Sequence, residues 1–229
     1  MTHEQRHLTF APNQLFLLQL KGALLLVGLH VLAMLTWYLD WIALDDRVLI
    51  SFFDLDEEES FGTWFSAINL FIAGCSTLLF VRLTSGPLPH LIQWYCLAFG
   101  LIFMSIDEVA AMHEYLNSSM VDGHWTEIGA IFVAILGILY IPFLRSLPTR
   151  TRNLCLLAGI VFLGGAIGVE WGTIYHEDQG LLDTLGYNLW NAVEEGFEMI
   201  GVIIYQYALL DFAKRSHSSQ LRLSLHPNT

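Results

Sequence analysis

Six long apolar segments constrain this chain more than any other feature. Each is close to the roughly 20 residues that a membrane-spanning helix needs. They lie at about Ala23–Leu44, Phe61–Val81, Leu91–Met112, Ile128–Phe143, Leu154–Trp171 and Leu189–Leu210. A chain crossing lipid must satisfy its backbone internally, and runs of this length do so as helices. The sequence therefore predicts an all-α polytopic membrane protein with six transmembrane helices. It divides into a short tail over residues 1–22, a six-helix domain over 23–212 and a second tail over 213–229. Composition agrees, with 55% hydrophobic and 14% charged residues.

Basic residues set the orientation, because they collect on the cytoplasmic side. Arg6, Lys21, Arg82, Arg145, Arg150, Arg152, Lys214, Arg215 and Arg222 share one side if the spans alternate, and Arg47 takes the other. Both termini are therefore expected in the cytoplasm, in a multi-pass cell-membrane protein of the bacterial inner-membrane type. Trp37, Trp41, Trp64, Trp125, Trp171 and Trp190 gather at the outer ends, where interfacial aromatics belong, and Trp94 sits near the inner face. The first apolar run is longer than a signal-peptide core and reads as a retained helix. Cys75, Cys96 and Cys155 map to the inner halves and read as packing thiols.

A net charge of −12 argues against nucleic acid as a partner and leaves membrane lipid. That charge is unevenly placed. The connection from Asp45 to Ser60 carries Asp54, Asp56, Glu57, Glu58 and Glu59, and reads first as a solvated face.

The other acidic residues lie inside apolar segments. The third span ends Ser105-Ile106-Asp107-Glu108-Val109-Ala110-Ala111-Met112-His113-Glu114, the fifth ends on Glu170, and the sixth carries Asn191-Ala192-Val193-Glu194-Glu195-Gly196-Phe197-Glu198. An ionisable group at bilayer depth costs roughly 2.5–3.5 kcal/mol or more, so each one asks for a function. Helical spacing puts Asp107 and Glu114 on nearly one line, flanked by Glu108 and His113. Asn191, Glu194, Glu195 and Glu198 share a face that Gly201 and Tyr205 continue inward. Two such faces would present carboxylate oxygens and an imidazole to a divalent metal ion: iron, manganese or zinc. The candidate ligands are Asp107, Glu108, His113, Glu114, Glu170, Glu194, Glu195 and Glu198.

Plainer readings stand beside this one. Glu194 and Glu195 could serve the N-terminal dipole of their helix. A lone buried histidine such as His30 is more often structural than functional. Asp40, His124 and His176 lie where they could join the cluster. His3-Glu4-Gln5-Arg6-His7 matches the zincin pattern H-E-x-x-H, but a terminal tail offers neither a third ligand nor a cleft. Gly164, Gly168 and Gly172 have small-xxx-small spacing and read as a packing face, with Glu170 turned to another neighbour. The chain lacks the repeated E-x-x-H of ferritin-like di-iron proteins and the G-x-G-D of intramembrane proteases.

The leading expectation is a membrane metalloprotein, an enzyme for a lipid or small apolar substrate at the outer leaflet. A cation- or proton-coupled transporter would use the same cluster, with His30 and Tyr205 extending a path inward. A third reading is a non-catalytic subunit of a membrane complex, or a homo-oligomer.

Overall fold

The computed structural model describes residues 11–39, 50–84, 88–112, 115 and 125–225. It has six helices long and apolar enough to cross a membrane. We number them α1 (Pro12–Tyr38), α2 (Phe61–Leu83), α3 (Leu91–Ala110), α4 (Trp125–Ser146), α5 and α6 (Leu185–Leu225). The fifth is composite: an α-helical part Thr149–Leu163, a π-helical turn Gly164–Val169 and a final part Glu170–Asp178.

The helices run longer than the apolar segments. α1 starts at Pro12, where proline's fixed φ and missing N–H suit a first turn. α6 continues to Leu225, past the Leu210 end of its apolar segment and into the expected tail. α3 is shorter than expected. It stops at Ala110, because Ala111 takes a left-handed conformation (φ 48). Glu114, expected on one line with Asp107, lies outside the described residues. α2 is capped by Ser60, whose Oγ accepts from the Thr63 N–H at 3.2 Å.

α6 is the central helix. It packs against α5, α1 and α2, while α2 pairs most extensively with α3. α5 comes closest where Gly201 faces Phe162: a Cβ on Gly201 would lie 2.7 Å from the Phe162 backbone nitrogen. α4 is mostly exposed and joins the bundle by its Tyr140–Phe143 end, where Phe143 meets Trp94 edge-on at 4.9 Å. Trp94 is buried there among Phe80, Phe143 and Phe212, a core role rather than an interfacial one.

Polar and apolar residues are placed inversely to a water-soluble protein. Gln19, His30, Asn69, Thr77 and Gln206 are buried, while Ile92 is 75% exposed and Ile160 69%. This suits a bundle surrounded by lipid. Cys155 packs in the core, but Cys75 and Cys96 lie exposed, so the packing role expected of all three thiols holds for one.

Candidate functional site

Three helices and one connection bring the acidic residues together. Glu198, on α6, lies in the electrostatic field of Glu108, Glu194, Glu170 and Asp107. Glu195 lies in that of Glu108, Glu198, Glu194 and Asp56. His113 and Glu114, the remaining candidates, lie outside the described residues, as do Asp40, His124 and the His3–His7 motif. Among the described residues, no three of His, Cys, Asp and Glu stand close enough together to grip a metal ion. The carboxylates share a field rather than a preformed coordination sphere.

The dipole explanation for Glu194 and Glu195 does not survive. α6 begins at Leu185, so both lie well past its first turn, where the dipole effect has faded.

Glu170 reaches the cluster through the π turn. Its backbone N–H bonds to the Gly165 carbonyl, five residues back. Such i→i+5 bonding stacks residues that an ordinary helix would point well apart. Gly165 is also where α5 touches α6: a Cβ there would lie 2.7 Å from the Glu194 carbonyl oxygen and 3.1 Å from Glu198 Cγ. Glycine and carboxylate thus address the same neighbour. This corrects the expectation that they face different ones, which assumed a regular helix. Gly168, assigned to that packing face by spacing, meets open space. One turn on, Thr173 Oγ1 donates to the Glu170 carbonyl at 2.7 Å and lies 3.4 Å from Glu194 Oε2. His176 turns back on its own helix, its Nδ1 2.7 Å from the Gly172 carbonyl.

The acidic connection after α1 is packed, not simply solvated. Leu55 is buried with Ala23, Met199 and Ile203. Asp56 accepts from Asn191 Nδ2 at 2.8 Å and from the Tyr187 hydroxyl at 3.1 Å, which ties the connection to α6. Burial pushes the Asp54 carboxyl above the ordinary range, against the pull of the Asp56 N–H and of His30. Glu57 and Glu59 remain exposed, as expected of a solvated face.

His30 fastens this connection. It is fully buried. Its Nδ1 accepts the Leu55 N–H at 3.0 Å, so Nε2 carries the proton and donates to the Asn188 carbonyl at 3.0 Å. Asp54 Oδ1 stands 3.4 Å from Nδ1. The structural reading of this histidine holds.

Sequence reasoning missed an amide network beneath the cluster. Gln19 Nε2 donates to Asn69 Oδ1 and to Gln206 Oε1, both at 2.7 Å. Gln206 Nε2 donates to the Asn69 carbonyl at 2.8 Å, and Asn69 Nδ2 to that of Phe65 at 2.8 Å. The signal available was two amides inside apolar segments and a third just before the first one, but uncharged residues on separate helices give no hint that they meet. Asn69 also borders a small cavity with Ser66, Glu108 and Glu198.

A family profile described as a domain of unknown function (DUF8692) matches residues 22–212. The chain belongs to that family. No curated protein and no solved structure matches it. Family membership covers the helices that build the cluster and assigns them no activity.

Proposed function

We propose that this DUF8692 protein is a membrane metalloprotein whose carboxylate cluster holds a divalent cation near one face of the bilayer. One observation carries the reading: Glu108 from α3 and Glu198 from α6 border one small cavity, with Glu194, Glu170 and Asp107 near enough to act on Glu198. Like carboxylates crowded at low dielectric cannot all ionise unless a cation joins them. The oxygen-rich set suits iron or manganese better than zinc. The ion would draw the carboxylates into its coordination sphere. An active site on a lipid or small apolar substrate would then use a metal-bound water.

The hydrogen bonds of Tyr205 and His30 weigh against the transporter reading. Tyr205 reaches the Thr77 hydroxyl at 2.6 Å, and Thr77 donates to the Ala73 carbonyl at 2.8 Å, so that branch ends on backbone. His30, the other residue suggested for a path, is held by Leu55 and Asn188.

Metal analysis of untagged protein in mild detergent tests the proposal. The wild type should carry stoichiometric metal, Glu198→Ala should lose most of it, and Glu59→Ala should retain it. Metal-free wild type that passes cations into liposomes in a Glu198-dependent way would replace this reading with transport.

A further inference from the structure

The cavity bordered by Ser66 and Asn69 on α2, Glu108 on α3, and Glu198 on α6 has a volume of about 10 Å³. That is close to the room one water molecule needs. Phe162 and Met199 close its apolar side. Ser66 is only 6% exposed, and its Oγ finds no hydrogen-bond partner among the described residues. A buried hydroxyl in that state is uncompensated unless something in the cavity meets it. We infer that this cavity is the cation's seat, that Ser66 and Asn69 supply neutral oxygen ligands beside Glu108 and Glu198, and that it selects a hard, oxygen-seeking divalent ion. The inference rests on the metalloprotein reading above and narrows it.

Size comes first. A space for one water admits an ion stripped of most of its waters and excludes a fully hydrated one. The donor set comes second. The polar residues at the cavity offer oxygen from a hydroxyl, an amide and two carboxylates, with no imidazole or thiolate among the residues that border it. Such a set favours manganese, or a harder ion such as calcium, over zinc. Charge comes third. Two carboxylates border the cavity, and Glu194, Glu170 and Asp107 add to the field on Glu198, which favours two positive charges over one.

The amide network explains how Asn69 would be aimed. Its Nδ2 is spent on the Phe65 carbonyl, and its Oδ1 takes one bond from Gln19, leaving a second lone pair. Gln19 is fixed in turn by Gln206. Partners that orient a ligand from behind are a regular feature of metal sites.

Manganese(II) is the probe, because its free ion gives an electron paramagnetic resonance signal that fades on binding. Full-length protein in detergent should take up one Mn²⁺, displaced by Ca²⁺ more readily than by equimolar Zn²⁺. Ser66→Ala should weaken uptake about tenfold, Asn69→Asp should strengthen it by adding a charge, and Glu59→Gln should leave it unchanged. Monodispersity in detergent checks folding, and Asn69→Asp decides the matter if Ser66→Ala fails to fold. Wild type that binds metal with no change in either variant would overturn the cavity assignment and leave the cluster as the site. Preference for Zn²⁺ would overturn the hard-ion assignment. Wild type that binds none of these ions would overturn both this inference and the metalloprotein reading, leaving the cavity to a structural water.

Discussion

Replacing His30 with alanine strands the buried Leu55 N–H, removes a second bond from an Asn188 carbonyl that α6 itself also engages, and leaves a cavity. Each buried group left without a partner costs about 1–3 kcal/mol. His30→Ala should therefore destabilise the protein by about 2–4 kcal/mol and loosen the connection over α6. Thermal unfolding in detergent checks the first effect, and limited proteolysis between α1 and α2 the second. Asp54 gives a prediction with a sign. Burial raises its carboxyl in the folded state, so the fold holds that proton more tightly than the unfolded chain does. Its contribution is fully present below the unfolded value and fades as pH rises through the raised folded value. Asp54→Asn removes this titration and can keep the bond from the Asp56 N–H. Its stability relative to wild type should climb across that window. A relative decline would mean that His30 and the backbone hold the charged form better than burial opposes it.

The π turn in α5 governs the site at the scale of an element. Without it, Gly165 and Glu170 would not both serve α6. Gly165→Ala should push α5 off the Glu194 carbonyl, because the obstructing atom is backbone and has little room to yield. We expect a loss of about 1–3 kcal/mol. Gly168→Ala, three residues on, meets open space, and alanine's better helix propensity should stabilise by up to about 1 kcal/mol. The pair, measured by melting in one detergent, separates a packing requirement from a general need for flexibility. A loss in both would mean that the π turn itself requires glycine.

Across the whole molecule, charge sorts by end. The carboxylate cluster occupies one end of the bundle. At the other, Asp211 Oδ2 accepts from Arg150 Nε at 3.1 Å and from Arg215 Nε at 3.0 Å. Basic residues near helix ends favour the cytoplasmic side. Reporter fusions at either terminus should accordingly report the cytoplasm and place the cluster near the opposite face. An external signal from either terminus would invert the orientation without changing the cluster's geometry.

The sequence by itself determined the six helices and which of their residues carry the acid. Twenty-residue apolar runs and helical period are local properties, readable without neighbours. For His30 the sequence favoured a structural role, and the partners that hold it, Leu55 and Asn188, appear only in the structure. Three features were decided only by tertiary structure. The π turn is one extra residue per turn, too small to disturb apolar periodicity, yet it redirects Glu170 and Gly165. The packing of Asp56 over Asn191 depends on a chain reversal that acidic composition disguises as a solvated loop. Asn69, Gln19 and Gln206 meet across three helices, and Ser66 borders the same cavity as Asn69. Their uncharged side chains raise no alarm singly, and only packing sets a buried hydroxyl beside two carboxylates.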